Sequence, residues 1–284
     1  MPEARDLIHH YTSVETLELI LSTRRIRLRP LDRMDDIREA QTHIGIPFGK
    51  YFFVSCWTHA EPESIPQWNM YTDNMTGVRL SLPKMPFKLR RLKPNPNWMM
   101  SSTGDIWSPL SFEEIFGNSH FVLPMFLRSE HFATAVRYVE NVEEHYGSAI
   151  VFNKSPQGHV SLTISRPFDL VCLKSTCWSF QAEYRFFLFV LPSLPVPTSG
   201  PGAPGFSEIL PTHILNSMLT GVAPGIEYLD LELSADALEQ IVVTTGPLST
   251  EATKRRVKDL VRAHVPTGHI RESALVGTIR RRTK

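Results

Sequence analysis

Hydrophobic and polar positions along this chain run first with the period of a strand and then with that of a helix. Residues 7–11, Leu-Ile-His-His-Tyr, are a short apolar run that predicts a strand. Thr12, Ser13, Val14 and Glu15 follow as a capping box opening a helix, and Val14, Leu17, Ile20 and Leu21 fall on one helical face. Residues 26–29 return to alternation, and Pro30 ends it. The opening unit is strand, short helix, strand, with His10 at the exit of the first strand.

The same reading carries through the rest of the chain. Residues 51–57 predict a buried strand, 67–71 one or two helical turns, and 77–82 an alternating strand. Residues 111–146 predict helix, with Phe132, Val136, Tyr138 and Val139 as apolar contacts. Residues 149–152 and 160–164 predict a hairpin across Pro156-Gln157-Gly158. Residues 186–191, Phe-Phe-Leu-Phe-Val-Leu, are the most apolar run and predict a buried central strand. Residues 192–211 are dense in Pro and Gly and predict a long flexible insertion loop, neither helix nor central strand. Residues 238–243 predict a strand and Gly246-Pro247 a turn. Ser249 or Thr250 then caps a helix to about His264, and residues 276–279 predict a last strand before the basic tail 280–284. Strands and helices mix irregularly, so the fold class is α+β and the chain, 1–284, is one domain.

Composition narrows function mainly by exclusion. At 284 residues, 42% hydrophobic and 21% charged, the chain is of ordinary globular type. A net charge of +1 argues against nucleic acid or an anionic membrane as partner. Met1 to Arg5 has no leader pattern and no apolar run is long enough to span a bilayer, so a cytoplasmic location is expected. Cys56, Cys172 and Cys177 form no Cys-x-x-Cys pair, so neither a disulfide framework nor a zinc site is expected. The eleven histidines are scattered, and the adjacent His9 and His10 point to opposite faces of a strand; no metal site is expected. Lys88, Arg90, Arg91 and Lys93 form a local basic patch, either a solvated face or a phosphate-tracking surface.

Candidate chemistry gathers where Phe180-Gln181-Ala182-Glu183-Tyr184-Arg185 leads into the apolar strand. A rigid strand presenting one carboxylate at its mouth suits a site, yet it also suits an ion pair between Glu183 and Arg185 or another base. Arg185 has Glu39 or Asp36 as prospective partners. His10 suits either a ligand contact or a core histidine bonded to backbone. Trp68 and Tyr71 suit either an aromatic wall or one buried helical face. Ser55 and Thr58 suit structural places on a buried strand.

His10-Tyr11-Thr12, Asp35-Asp36-Ile37-Arg38-Glu39, Ser55-Cys56-Trp57-Thr58, Trp68, Tyr71, Gly77, Trp178, Gln181-Ala182-Glu183-Tyr184-Arg185 and Gly246-Pro247 occur in this order. In that order the chain resembles domain-of-unknown-function family 2971, from about Leu7 to Leu275. Ile37 stands where that family prefers proline, and Gln181 where an acid is common. More distantly, the opening strand and helix, the strand around Ser55 and the late Glu183 resemble ADP-ribosyltransferase domains. That resemblance implies a mixed, split antiparallel β-sheet flanked by helices, with NAD as substrate and an unidentified macromolecular acceptor.

The resemblance also implies roles. Glu183 and His10 are the catalytic candidates, and Tyr11, Thr12, Ser55, Trp68, Tyr71, Arg25 and Arg185 the NAD-binding ones. Breaking the nicotinamide–ribose bond passes through an oxocarbenium-like state, which a fixed carboxylate stabilises. His10 would hydrogen-bond a ribose, Tyr71 or Trp68 would stack on nicotinamide, and Arg25 or Arg185 would hold the pyrophosphate. Loops 83–110 and 192–211 would choose the acceptor. The alternative is a non-catalytic nucleotide-binding or interaction module, which Gln181 favours.

Overall fold

The aromatic run that Glu183 opens forms the longest strand among the described residues, Glu183–Pro192, buried along all but its last residue. Phe, Val and Leu at consecutive positions leave it no polar face, so it needs cover on both sides. The computed structural model describes residues 6–39, 42–92, 106–124, 132–154, 156–157, 160–164, 167–194 and 206–280. Ten strands among them make the main sheet. They are β1 (Leu7–Thr12), β2 (Arg25–Pro30), β3 (Phe52–Thr58), β4 (Val78–Pro83), β5 (His120–Leu123), β6 (Ala133–Ala135), β7 (Glu183–Pro192), β8 (Leu229–Glu232), β9 (Val242–Thr245) and β10 (His269–Glu272).

Their order is β8-β2-β3-β1-β4-β9-β10, with β7 on the other edge of β3 and both β5 and β6 beyond it. Within this sheet, among the described residues, only the β9–β10 pairing is parallel. The β3 strand is shared in an unusual way. On one edge it pairs with β2 at Val54 and Phe53, and with β1 only at Thr58. The sheet therefore splits where β1 and β2 part, and, among the described residues, 55–57 have no strand beside them on that edge. This split decides where the site lies.

Helices cover the sheet. Helix α1 (Val14–Thr23) buries Val14, Leu17, Ile20 and Leu21. Its cap is Ser13, whose side chain accepts from the Thr16 amide at 3.1 Å, rather than Thr12. Helix α2 (Ile65–Tyr71) is capped by Ser64 and carries proline in its first turn, where no donor is lost. Helices α3 (Val142–Ala149), α4 (Phe206–Thr220) and α5 (Glu251–His264) follow, and Thr250 caps the last. Arg256 of α5 reaches Glu15 and Glu18 of α1 at 2.6 and 2.7 Å. One core runs from Ile8 to Val265, so the chain is a single α+β domain with a mostly antiparallel sheet flanked by helices.

Four local expectations are corrected. Residues 111–146 are not one helix. A capping box at Ser111 and Glu114 starts only Phe112–Ile115; β5, β6 and the strand Arg137–Val139 follow. Pairing with β7 buries Phe121 and Val122, and outweighs the weak helical period. The stretch 192–211 is not loop throughout, because α4 begins at Phe206 and contains Pro211; residues 195–205 lie outside the described part. Pro211 is exposed, so solvent can satisfy the carbonyl its missing N–H leaves behind. Residues 238–243 divide into the helical turn Ala235–Glu239 and β9, and 276–279 is a turn, the last strand being β10.

The basic patch is largely consumed by the fold. Lys88 and Arg90 both bind Glu232 at 2.8 Å, which leaves a paired face rather than a phosphate track; Lys93 lies outside the described residues. Gly77 is required by packing, since a Cβ there would overlap the Thr12 carbonyl oxygen and press on Thr72. Gly77→Ala is therefore expected to destabilise the protein by about 1–3 kcal/mol. A urea titration checks it, and an unshifted midpoint would mean the turn yields.

Candidate functional site

The split between β1 and β2 opens a cleft of about 290 Å³. His9, His10 and Tyr11 of β1, Arg29 of β2 and Cys56 and Trp57 of β3 line it, together with Gln67 and Tyr71 of α2. Arg33, Met34, Asp35, Lys174, Gln181 and Glu183 complete the wall. By strand alternation, Cys56 and Glu183 belong to one face of the sheet and Trp57 and His10 to the other. A cleft through a parted sheet draws on both.

His10 closes part of the gap with its side chain. Its Nδ1 donates to the Cys56 carbonyl at 2.9 Å, on the stretch of β3 that lacks a strand neighbour. A carbonyl only accepts, so Nδ1 carries the proton and Nε2 is the acceptor of this ring. Burial holds the imidazole below its ordinary pKa, hence neutral, and the ring lies 5.1 Å from that of Trp57. His9 bonds Ser81 Oγ at 2.7 Å. Burial and then Arg79 lower its pKa to about 3, so its 3.9 Å approach to Glu61 is not an ion pair.

Glu183 is both on the cleft and inside a charge network. Its Oε1 accepts from Arg185 Nε at 2.8 Å and lies 2.6 Å from Arg185 Nη2; its Oε2 accepts from Lys174 at 3.1 Å. Glu39 closes the ring, 2.7 Å from Lys174 and 2.7 Å from Arg185. Two carboxylates meet two cations, all buried, so the cluster is neutral overall. Burial alone would raise the Glu183 carboxyl, but Arg185 and Lys174 more than offset it and hold it below the usual carboxylate range. Burial opposes the Lys174 charge in turn, and Glu183 with Glu39 overcomes it, leaving that ammonium above its ordinary value. Burial, then Glu183, raises the neighbouring Cys56 thiol well above its usual value, so it is not a thiolate nucleophile.

Polar groups at the mouth form a short relay. Gln181 Nε2 donates to the Tyr71 hydroxyl at 2.6 Å. Burial, then Asp35, raises the Tyr71 phenol, which stays protonated. Gln181 Oε1 is buried and has no hydrogen-bond partner among the described residues. Ala182, in the left-handed region at φ 40°, then turns the chain into β7. A strained non-glycine residue between two cleft residues is the kind of feature found at sites.

The cleft thus gathers His10, Tyr11, Tyr71 and Glu183 among the sequence candidates. Tyr11 is a wall, its hydroxyl accepting from the Ser64 amide at 3.0 Å. The others are corrected. Trp68 is fully buried, edge-on to Tyr11 and bonded to Glu63 at 2.9 Å, so it cannot stack on a ligand. Ser55 is buried and accepts from Trp57 Nε1 at 3.1 Å, a packing contact. Thr12 is buried away from the cleft, Arg25 is exposed at the start of β2, and Arg185 lies wholly within the ion network. Sequence reasoning missed Lys174, Arg29, Arg33, Cys56 and Trp57 as lining residues. Cys56 and Trp57 stood in one of the ordered motifs, and Lys174 left a trace as a charge between Leu173 and Ser175 in a short strand.

Among the described residues no helix is long and apolar enough to cross a membrane, and no group of three or more His, Cys, Asp or Glu is placed to hold a metal ion. The chain matches no family model, no curated protein and no solved structure.

Proposed function

We propose that the chain cleaves the nicotinamide–ribose bond of NAD, passing ADP-ribose to a macromolecular acceptor or, as a glycohydrolase, to water. The observation that carries this reading is the meeting of His10, Tyr71 and Glu183, distant in sequence, on one cleft. In this reaction the C1′–N bonding pair leaves with the ring, neutralising the pyridinium, and the ribosyl cation is captured by the acceptor. Glu183, ionised and fixed by two cations, faces that developing charge. Neutral His10 offers Nε2 to a ribose hydroxyl, and the Tyr71 ring flanks nicotinamide. The unpaired Gln181 Oε1 accepts from a carboxamide or hydroxyl donor.

A second reading has its own support. Both Glu183 oxygens already serve Arg185 and Lys174, so the carboxylate presents little net negative potential to a cationic transition state. That favours a nucleotide-binding module without turnover.

Nicotinamide release separates the two when wild type, E183Q and E39Q are compared at a temperature where circular dichroism shows all three folded. Both substitutions break the same network, but only Glu183 lines the cleft. The enzyme reading expects E183Q to lose about a hundredfold in rate, and E39Q to lose far less. Equal losses would deny Glu183 a catalytic part. A thermal shift with NAD but no release selects the binding module; neither effect removes both readings.

A further inference from the structure

Next to the cleft runs a larger groove of about 830 Å³, lined among others by Arg27, Arg29, Arg33, Lys50, Glu227 and Tyr228. Arg29 and Arg33 line both spaces, so the groove continues the cleft across these two guanidiniums. Arg27 is already committed. It makes paired 2.9 Å bonds to Asp230 and lies 3.4 Å above the Tyr228 ring.

The other three cations are poorly compensated. Among the described residues, Arg33 has only Asp32, at 4.0 Å, Lys50 has only the Gly221 carbonyl, at 3.4 Å, and Arg29 has no hydrogen-bond or ion-pair partner. Asp32 and Glu227 are the acids on the groove, and neither binds Arg29. Like charges gathered in one concavity repel, and an anion seated between them removes that cost. Guanidinium forks suit phosphate oxygens, which take two parallel hydrogen bonds. The cleft is also small, at the lower end of the range for ligand pockets, and would hold only part of a nucleotide.

We propose that Arg29, Arg33 and Lys50 form a phosphate subsite, and that the ligand is a nucleoside diphosphate or dinucleotide whose ring-bearing part enters the cleft. The proposal rests on the nucleotide reading of the cleft but not on turnover. It replaces Arg25 and Arg185 as phosphate contacts with arginines that reach open space.

Calorimetric titration of the full chain with ADP, adenosine and inorganic pyrophosphate tests it. ADP is expected to bind about ten- to a hundredfold more tightly than adenosine, with the difference shrinking as salt rises. The exposed double variant R29A/R33A is expected to bring that ratio close to one. Equal wild-type affinities, binding of neither nucleoside, or an ADP preference that survives the double variant would overturn the proposal. So would pyrophosphate binding as tightly as ADP, which would assign the groove to a free anion. Nicotinamide release is scored separately. An ADP preference without release leaves the subsite standing and removes the enzyme reading, whereas release without an ADP preference does the reverse.

Discussion

Replacing Glu39 by glutamine is expected to cost about 3–5 kcal/mol of folding stability, although the side chain keeps its size. Glu39 touches both Lys174 and Arg185 at 2.7 Å, and all these groups are buried. Without its charge, two cations face the single carboxylate of Glu183, and the buried network carries an uncompensated positive charge. Unfolding in urea measures the loss; a change under about 1 kcal/mol would show that the pocket relaxes or hydrates. The pH dependence has a definite sign. Glu183, depressed by its cations, contributes stability above its unfolded pKa of about 4.3 that is lost as pH falls through the folded value. Lys174, raised by its carboxylates, contributes stability below its unfolded pKa of about 10.4 that is lost as pH rises through the folded value. Wild-type stability from these two groups is therefore expected to be flat between about pH 5 and 10 and to fall on both sides.

Phe186→Ala is expected to be as damaging, at about 3–5 kcal/mol, for an unrelated reason. Phe186 is wholly buried on the face of β7 opposite Glu183. Its ring meets Phe87 edge-on at 4.8 Å, Phe132 at 5.4 Å, Tyr184 at 5.6 Å and Trp57 at 6.3 Å. Four rings borne on the sheet and its margins cannot all close on one vacancy, so a cavity remains. Calorimetric or urea unfolding gives the value, and a loss below about 1.5 kcal/mol would mean the cluster collapses to fill the space.

Much of the fold was legible where the period of the chain was clean. The opening strand, helix and strand lie at Leu7–Thr12, Val14–Thr23 and Arg25–Pro30, and the hairpin pairs Ile150–Lys154 with Val160–Ile164. Pairing of Arg185 with Glu39 and bonding of His10 to backbone were also readable, because a buried charge or imidazole must find such partners. The helix Phe206–Thr220 was obscured by Pro211, although Leu210, Ile214 and Met218 recur at the spacing of four that one helical face requires. On α2, Trp68 and Tyr71 share a face by spacing, yet one is sealed and the other opens on the cleft. Where that face meets the edge of the sheet decides this, and no local pattern encodes it. The same holds for Arg29 and Lys174, which strand order alone brings to the cleft.

The imidazole that bridges β1 and β3 has a thermodynamic consequence. Where a continuous ladder would tie these strands by several backbone bonds, they pair directly only at Thr58, and one side chain adds a tie at Cys56, with a proton on one nitrogen and a lone pair on the other. A donor group arriving at Nε2 polarises the ring and strengthens the bond that Nδ1 already makes. Occupancy of the cleft and cohesion of the parted sheet are then linked functions, each raising the other by the same free energy.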